Sequence, residues 1–353
     1  MTFSEDLLNE MLTGIYLPEK ILDNAELEAR NIILPSGKTL RAERIKEKIG
    51  VERRHISERD ETVADLGCKA VKAAIGERQD IDVIFVSSSH PTPFHVAGEI
   101  RSRLGLEEAE VLDFHAACSG SALCFAYLFE NKEKYLGRNI LIVAADKFSN
   151  TIVDLRRSDA LKLDPSLGQT IFGDGAAAIC FNYGKDIIVH AANRKSLPDA
   201  NGKKDLILMG VGGNKFVQPC IINPVSQSPV TPDYPLGYFT QNGPGVFQVI
   251  YNSVPNVIRE TVVKANLKPQ DIDLVIIHPG SRRVVEAITD ALKPEFEVYS
   301  DYVDGNMSSV SLMYSFVKAM RENRIKKGSK VVLCGFGAGS PDLYSTTVVI
   351  ELI

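Results

Sequence analysis

Short, continuous runs of apolar residues alternate along this chain with longer segments in which apolar residues recur at helical spacing. The runs lie at Val83–Val86, Ile140–Ala145, Leu274–Ile277 and Val331–Leu333. Uninterrupted apolar runs of this length are typical of parallel strands that are covered on both faces. The helical spacing predicts helices at Glu61–Ile75, Val96–Leu104, Ser119–Glu130, Phe247–Ala265, Arg282–Leu292 and Ser308–Asn323. Alternating strands and helices predict an α/β fold.

The pattern occurs twice. Residues 81–86 (IDVIFV) correspond to residues 272–277 (IDLVII), and residues 137–143 (GRNILIV) correspond to residues 328–334 (GSKVVLC). Both offsets are 191 residues, since 272 − 81 = 328 − 137 = 191. Each copy continues as strand, loop, helix, short strand, small-residue turn and second helix. The repeat predicts a duplicated fold with halves at residues 1–184 and 185–353.

Two stretches fall outside this repeat. Ser166–Asn182 contains an apolar run between glycines and predicts a strand. Asn223–Gly245 carries five prolines together with Tyr234, Tyr238 and Phe239. This density of prolines predicts a long ordered loop, and its aromatic residues favour a pocket wall over a linker.

Composition and charge are those of a globular enzyme. The chain has 353 residues, of which 44% are apolar and 24% charged, and a net charge of −5. This charge argues against a general nucleic-acid-binding surface. The first residues include Glu5 and Asp6 where a signal peptide needs basic side chains, and the apolar runs are too short to span a bilayer. We therefore expect a cytoplasmic protein with no membrane association.

Cysteine usage excludes the usual metal-binding patterns. The six cysteines are scattered and form no CxxC motif or zinc spacing, so no metal site is expected. Cys118 differs from the others because it lies in a run of small residues, HAACSG, between a predicted strand and a predicted helix. A thiol at a helix N-terminus is favoured as a thiolate by the helix dipole, which predicts a lowered pKa and a nucleophilic role. The alternative is a small residue that serves tight packing.

His278 and Asn306 are the candidate partners of Cys118. His278 follows a buried strand, where open α/β sheets place ligands, and Asn306 lies in the second copy's small-residue turn. Alone, the histidine could be a turn residue and the asparagine a helix cap. Together with Cys118, at related points of a duplicated unit, they form a nucleophile, an acid–base group and an amide helper. The glycine-rich segment 335–339 (GFGAG) could direct backbone N–H groups at an oxyanion.

These segments resemble the thiolase-superfamily condensing enzymes, nearest the ketoacyl-acyl-carrier-protein synthase III group, with features of type III polyketide synthases. The resemblance covers nearly the whole chain and rests on motifs in the family's order. They are residues 14–19 (GIYLPE), 49–56 (IGVERRHI), 113–120 (DFHAACSG), 172–177 (FGDGAA), 305–309 (GNMSS) and 335–339 (GFGAG).

The resemblance implies a five-layered αβαβα thiolase fold of two duplicated βαβαβαββ halves, assembled as a homodimer. It also implies that Cys118 carries an acyl group as a thioester, while His278 and Asn306 promote decarboxylation of a malonyl-type extender. The backbone N–H groups of Cys118 and Ala338 would hold the thioester oxyanion. Phe94, Gly243 and Phe247 are expected to line the substrate pocket. No cofactor is expected, because the acyl group travels on the phosphopantetheine of an acyl-carrier protein or on coenzyme A.

Departures from the family pattern concern the donor of the acyl group. The chain has no Trp, and Arg44 stands where the family stacks the adenine of coenzyme A. Further along the chain, Lys48 stands where the family has an arginine. This replaces a planar guanidinium, which can form two parallel hydrogen bonds, by an ammonium group that acts as a point charge. Arg283 aligns with the family's carrier-protein-contacting arginine, and Arg282 lies beside it; a solvated helix face explains the pair almost equally well.

The segment after the strand, residues 278–280 (HPG), is closer to type III polyketide synthases. These features favour a specialised, carrier-protein-dependent condensation in fatty-acid or polyketide-type biosynthesis over housekeeping fatty-acid initiation. Acyl transfer to oxygen or nitrogen without decarboxylation remains an alternative, as does a non-catalytic subunit of a heteromeric synthase. Retention of Asn306 beside His278 favours condensation.

Overall fold

The computed structural model describes residues 11–32, 37–58, 60–89, 95–148, 170–197, 207–209, 239–241, 243–337 and 343–353. The strands are β1 Leu12–Tyr16, β2 Lys20–Asp23, β3 Arg53–Ile56, β4 Val83–Ser87, β5 Glu110–Phe114, β6 Asn139–Asp146, β7 Gly175–Asn182, β8 Ile187–Leu197, β9 Ile207–Met209, β10 Phe239–Gln241, β11 Leu274–Ile277, β12 Val298–Tyr299, β13 Lys330–Gly337 and β14 Leu343–Leu352. The helices are α1 Asn24–Ala29, α2 Ala42–Lys48, α3 Val63–Ile75, α4 Val96–Arg103, α5 Gly120–Glu130, α6 Lys132–Tyr135, α7 Gly243–Lys264, α8 Arg282–Leu292 and α9 Ser309–Arg321.

Two five-stranded sheets have the same strand order, β1-β7-β6-β4-β5 in one and β8-β14-β13-β11-β12 in the other. The inner strands β4 and β11 are each parallel to both of their neighbours, whereas β6–β7 and β13–β14 are antiparallel. Strands β6 and β13 span residues 139–146 and 330–337, so both of their ends differ by 191. The predicted duplication is confirmed in the fold. The predicted boundary at residues 184 and 185 falls in the turn between β7 and β8 and stays a prediction.

The same contact begins the inner strands of both sheets. The carboxylate of Asp82 accepts a hydrogen bond from the N–H of Asn139 at 2.7 Å, and that of Asp273 accepts one from the N–H of Lys330 at 2.8 Å. These pairs are again 191 residues apart. Each aspartate therefore fixes the register of two parallel strands at the amino-terminal edge of its sheet.

The helices and sheets form five layers. Helices α3 and α4 pack on one face of the first sheet, and α7 and α8 pack on one face of the second sheet. Helices α5 and α9 lie between the two sheets, in the largest apolar cluster. In α9 every residue from Ser309 to Met320 except Lys318 is buried, as expected for a helix that is covered on all sides. The predicted αβαβα architecture is confirmed.

Predicted and observed element ends differ in a few places. Helix α3 begins at Val63 because the Thr62 side chain accepts from the N–H of Asp65, and the carboxylate of Asp65 accepts in return from the N–H of Thr62. Within the predicted strand 166–182, residues 166–169 lie outside the described residues and the strand itself begins at Gly175. None of the helices in the described part of the chain is long and apolar enough to cross a membrane.

The predicted proline-rich loop is wrong at its carboxyl-terminal end. Phe239–Gln241 forms β10, which pairs with β9, and α7 already begins at Gly243. Pro244 is compatible with this start, because the first turn of a helix does not use its N–H groups. Residues 223–238 and 242 lie outside the described residues.

Candidate active site

A pocket of about 450 Å³ lies where the two halves meet. It contains all three predicted catalytic residues, Cys118, His278 and Asn306. Apolar and aromatic side chains form much of its wall, among them Ile49, Phe148, Phe172, Val246, Ile250 and Phe336. The structure therefore brings together residues that are up to 188 positions apart in the sequence (306 − 118 = 188).

Cys118 lies on a tight turn between β5 and α5. The turn Ala117–Ser119 is a single 3-10 turn, and Ala117 adopts a left-handed backbone conformation with φ 42°. Such a conformation costs a non-glycine residue free energy and is concentrated at functional sites. The turn also packs closely against β13: a Cβ on Gly337 would lie 2.9 Å from the Cys118 Cβ, closer than real Cβ atoms approach, so glycine is favoured there. The oxyanion role expected of the glycine-rich segment stays a prediction, since residues 338 and 339 lie outside the described residues.

Burial opposes the sequence-based expectation for the Cys118 thiol. The expected helix dipole would lower its pKa, but α5 begins two residues later, at Gly120. Loss of hydration raises the pKa of the Cys118 thiol to about 12, the negative charge of Asp146 adds to the rise, and a hydrogen bond with Ser308 opposes it. The prediction of a lowered pKa is wrong, because desolvation outweighs the dipole. The thiol is protonated in the resting protein.

His278 is held as a neutral imidazole at the end of β11. Only 2% of its surface is exposed, and its backbone N–H donates to the Cys334 carbonyl at 2.9 Å. Burial lowers the pKa of His278 to about 3. The edge of the imidazole meets the Phe336 ring at a centroid distance of 5.6 Å and an interplanar angle of 85°. The side chain is therefore fixed in an apolar surrounding that disfavours its protonated form.

Asn306 is positioned by both halves. Its backbone N–H donates to the Ile171 carbonyl at 2.8 Å, and its carbonyl accepts from the N–H of Gly173 at 3.2 Å. These contacts tie the second half's turn to the predicted FGDG motif of the first half. The side-chain oxygen of Asn306 accepts from the Ser308 N–H at 2.7 Å, which fixes the amide orientation and directs Nδ2 at His278 Nε2, 3.3 Å away.

The loop before Asn306 is anchored by an ion-pair cluster. The Asp304 carboxylate pairs with Arg53 at 2.6 Å and accepts from the Tyr314 hydroxyl at 2.6 Å. Partnership with Asp304 raises the pKa of His55, which lies 3.6 Å from that carboxylate. Although burial raises the pKa of Asp304, the hydrogen bonds from His55 and Tyr314 outweigh it and bring that pKa down to about 2. The ion pair and the hydrogen bonds of Asp304 therefore fix the loop that carries Asn306.

The side chains of His278 and Asn306 face each other, and the role of each ring nitrogen depends on the tautomer of the imidazole. Within the described part of the chain, Nδ1 of His278 is buried and has no hydrogen-bond partner. If the proton is on Nδ1, that donor is unpaired; if it is on Nε2, two donors face each other across 3.3 Å. An oxygen placed against both Nε2 and Nδ2 would accept from each. With the proton on Nε2, the pair could therefore hold an oxygen that carries negative charge.

The remaining predicted residues separate into three groups. Gly243, Phe247, Lys48 and Arg283 line the pocket, and the Arg283 guanidinium lies 4.9 Å from the centre of the Phe247 ring. Arg282 does not line it; its side chain pairs with Glu286 at 2.7 Å on the exposed face of α8. Two further predicted residues, Phe94 and Ala338, lie outside the described residues.

Three buried polar residues near Cys118 escaped the sequence analysis. They are Ser89, Ser308 and Asp146, which are linked to one another and to the thiol by hydrogen bonds. One signal was present in the sequence: three serines, Ser87–Ser89, follow an apolar run, and Asp146 ends another. Polar residues at the carboxyl ends of two neighbouring parallel strands meet at one edge of a sheet.

Comparisons with known proteins identify the family of this chain. A family model described as 3-oxoacyl-[acyl-carrier-protein] synthase III matches residues 112–194, and the model of its C-terminal part matches residues 262–341. A beta-ketoacyl-[acyl-carrier-protein] synthase III of Campylobacter jejuni (strain RM1221) is 31% identical over 340 residues, which cover 92% of both chains. This chain belongs to the 3-oxoacyl-[acyl-carrier-protein] synthase III family. It is a condensing enzyme of the acyltransferase type.

Other relatives and solved structures are similar over nearly the full length. The beta-ketoacyl-[acyl-carrier-protein] synthase III of Sulfurovum sp. (strain NBC37-1) is 29% identical over 339 residues, covering 92% of this chain and 91% of that one. The synthase III of Pseudomonas aeruginosa PAO1 superimposes with a TM-score of 0.74 at 24% identity, covering 97% and 98%. The priming beta-ketosynthase from the R1128 polyketide biosynthetic pathway gives 0.75 at 23% identity, covering 97% and 95%. The predicted thiolase fold is confirmed.

Proposed function

We propose that this chain loads an acyl group onto Cys118 and condenses it with a malonyl- or 3-ketoacyl-type thioester in specialised fatty-acid or polyketide-type biosynthesis. For a malonyl extender, the reaction is a decarboxylative Claisen condensation in which no cofactor takes part. Cys118, His278 and Asn306 carry it out. The acyl group arrives on the phosphopantetheine of an acyl-carrier protein or on coenzyme A, and the carrier-protein form is preferred.

The observation that carries this proposal is the placement of His278 Nε2 and Asn306 Nδ2 3.3 Å apart in the pocket that also contains Cys118. Loss of carbon dioxide from a malonyl thioester leaves an enolate whose negative charge is on the thioester oxygen. An oxygen in contact with both nitrogens would gain two hydrogen bonds that are stronger to the enolate than to the ground-state carbonyl. Such a site lowers the barrier to decarboxylation. Transfer of an acyl group to oxygen or nitrogen has no need of it.

The two half-reactions use different parts of the pocket. In acylation, the Cys118 sulfur attacks the donor thioester, and the backbone N–H groups of Cys118 and Ala338 would hold the resulting oxyanion. In condensation, the enolate carbon held by His278 and Asn306 attacks the Cys118 thioester and expels the sulfur. The distribution of charge supports this division, because both Cys118 and His278 are neutral at rest and neither repels a bound malonyl carboxylate.

Charge at the pocket mouth supports a phosphopantetheine-bearing donor. Lys48 and Arg283 are both exposed and both line the pocket. They lie on opposite halves of the chain, so a phosphate that enters between the halves could contact both. Arg44 is exposed as well and offers no aromatic face on which the adenine of coenzyme A could stack. These features favour a carrier protein over coenzyme A as the acyl donor.

Housekeeping fatty-acid initiation is the second candidate. Its support is the similarity to curated relatives named beta-ketoacyl-[acyl-carrier-protein] synthase III, whereas the similarity to the R1128 priming ketosynthase favours a specialised pathway. An intact Cys, His and Asn set argues against a non-catalytic subunit.

Intact-mass spectrometry separates these candidates. The protein is incubated with a panel of acyl-carrier proteins and acyl-coenzyme A esters of increasing chain length, and the adduct is mapped by peptide digestion. We expect one adduct, on Cys118, formed faster from a longer carrier-bound chain than from acetyl-coenzyme A. Faster acylation by acetyl-coenzyme A would instead assign the chain to housekeeping initiation. The Cys118→Ala variant is the control for adducts on other cysteines.

We also propose a homodimer. Strand β5 ends the first sheet, and its outer edge pairs with no strand in the described part of the chain. Its residues Glu110, Val111, Leu112 and Asp113 are only partly exposed, which suits an edge that another copy covers. Sedimentation velocity at micromolar concentration measures the state: a monomer would rule out the proposal.

A further inference from the structure

A line of buried hydrogen bonds leads away from the Cys118 thiol. Its Sγ lies 3.4 Å from the Ser308 hydroxyl, which is hydrogen-bonded to the Ser89 hydroxyl. The Ser89 hydroxyl donates to the Asp146 carboxylate at 2.9 Å. Ser308, Ser89 and Asp146 are exposed by 2%, 6% and 0%. The line therefore joins the nucleophile to a fully buried carboxylate through two side chains shielded from solvent.

The direction of these hydrogen bonds is fixed at the carboxylate. Backbone N–H groups can only donate, and those of Ser89 and Ser309 both point at Asp146, at 2.7 and 3.0 Å. Asp146 is thus an acceptor, so the single proton of Ser89 is directed at it. The proton of Ser308 must then be directed at Ser89. A lone pair of Ser308 faces the sulfur and accepts from the S–H of Cys118.

We propose that Ser308, Ser89 and Asp146 form a proton relay that takes the proton from the Cys118 thiol as it attacks the donor thioester. The inference rests on the acylation of Cys118 proposed above. As the S–C bond forms, the thiol proton moves to Ser308, the Ser308 proton to Ser89 and the Ser89 proton to Asp146. When the tetrahedral intermediate collapses, the carrier thiolate leaves. The relay then runs in reverse, and Ser308 protonates the departing sulfur.

The surroundings of Asp146 allow it to hold this proton. The Ser309 hydroxyl lies 2.6 Å from the Asp146 carboxylate and 3.1 Å from the Ser87 carbonyl. It can donate to either acceptor by rotation about one bond. Once the carboxylate is protonated, Ser309 turns to the Ser87 carbonyl and stays paired. The Ser309 hydroxyl therefore keeps an acceptor in both states of the relay.

Backbone geometry holds the central hydroxyl in place. Ser308 has φ 49° and ψ −113°, a conformation that a residue with a Cβ rarely adopts. Its N–H is tied to the side chain of Asn306 at 2.7 Å. This conformation places the Ser308 hydroxyl between the sulfur and Ser89. Strain at a residue whose side chain contacts the nucleophile indicates a role in positioning it.

The alternative proton acceptor, His278, is poorly suited. No hydrogen bond joins Cys118 to His278 within the described part of the chain, and burial lowers the pKa of His278 to about 3. An imidazole of such low basicity takes a proton from a thiol much less readily than an ordinary histidine does. His278 remains available for the condensation step, in which it must donate or share a proton.

Pre-steady-state acylation of the full-length protein tests the relay. We expect Ser308→Gly and Ser89→Ala to slow acylation about 10²-fold at neutral pH, the usual contribution of one positioned base. Wild-type acylation should vary little with pH, since the proton stays inside the protein. In both variants the rate should instead rise about tenfold per pH unit, because only the free thiolate then reacts. Ser89→Thr, which keeps the hydroxyl, should restore the rate and the flat profile.

A buried serine on the same helix provides the control. The hydroxyl of Ser315 in α9 accepts from the Asp301 N–H at 3.2 Å and lies outside the relay, so Ser315→Ala should keep wild-type acylation. The relay is excluded if Ser308→Gly and Ser89→Ala both fold and keep the wild-type rate and profile. Equal losses in Ser315→Ala would exclude it too. Absence of acylation in the wild type would instead refute the proposed function.

Discussion

The two turns that meet in the pocket share a residue with a positive φ and differ in chemistry. In the first half, Ala117 has φ 42°; in the second, Ser308 has φ 49°. The two residues are 191 positions apart (308 − 117 = 191), so a left-handed non-glycine residue occurs at the same point of both copies. Each lies just before a helix that fills the space between the sheets. Duplication has thus preserved a strained turn on both sides of one pocket.

The side chains that do the chemistry are not equivalent in this register. Cys118 corresponds to Ser309, which supports Asp146, and Asn306 corresponds to His115, which is exposed. The repeats therefore match as turns but not residue by residue. The comparison teaches that the same strained turn can present different side chains. In both halves it directs neighbouring residues into the shared pocket, but the functional groups differ.

Removal of the chemical group from each turn should give the largest and most divergent effects. Cys118→Ala should abolish acylation and condensation, a loss of at least about 10³-fold. Asn306→Ala and His278→Ala should still acylate Cys118 but lose about 10²- to 10³-fold in decarboxylation, because these side chains serve the enolate. Intact-mass spectrometry measures acylation, and release of labelled carbon dioxide measures decarboxylation. If the variants at 278 and 306 fold but fail to acylate, the division of labour between the turns is wrong.

Charge reversal at the pocket mouth should have smaller effects on activity, and it can be made in either half. Lys48→Glu and Arg283→Glu each reverse a charge at the pocket mouth and should lower kcat/KM for carrier-bound substrates about tenfold, mainly through slower association. Arg282→Glu, beside the pocket and opposite Glu286, is the matched control and should have a weaker effect. Small thioester mimics should be used normally by all three. Equal losses with mimics would place the charges in the reaction itself.

Substitution by glycine should relieve the backbone strain of each turn, and its effect on the free energy of unfolding compares the two turns. Ala117→Gly should raise the free energy of unfolding by about 1 kcal/mol, because glycine tolerates the left-handed conformation. Ser308→Gly should give little net change, since the same relief is offset by loss of the hydroxyl's hydrogen bonds, about 1 kcal/mol. Denaturant unfolding measures both. A loss of stability in Ala117→Gly would contradict the reading of its turn as strained.

The smallest expected effect is the absence of a pH dependence. Burial keeps His278 neutral in the folded protein above a pKa of about 3, whereas an ordinary histidine becomes charged below about 6.5. Decarboxylation by pre-acylated enzyme should therefore stay constant from pH 8 to about pH 5. The free energy of unfolding, by contrast, should depend on pH. The unfolded chain binds a proton at this histidine below about pH 6.5 and the folded protein does not, so the stability falls as the pH drops from there. An inflection of the rate near pH 6.5 would show that His278 titrates normally.

Much of the fold follows from local pattern, as particular elements show. The predicted ends of β11 and α8 agree with the structure, because each is bounded by residues that cannot continue it or that cap it. Ser281 caps α8 by accepting from the Val284 N–H at 3.4 Å. The predicted end of the proline-rich loop was wrong, because a proline such as Pro244 is typical of loops and is also compatible with the first turn of a helix.

The features of the site also separate into those that follow from the sequence and those that depend on the folded structure. The amino-acid sequence by itself determined the duplication and the three candidate residues, because apolar periodicity and repeated segments are properties of the chain. The five layers were implied by its resemblance to the thiolase-superfamily enzymes. Only the tertiary structure decided the protonation of Cys118, the orientation of the Asn306 amide and the line from the thiol through Ser308 and Ser89 to Asp146. Each of these depends on burial and on contacts between residues far apart in sequence. Desolvation and hydrogen-bond direction exist only once the two halves have packed together.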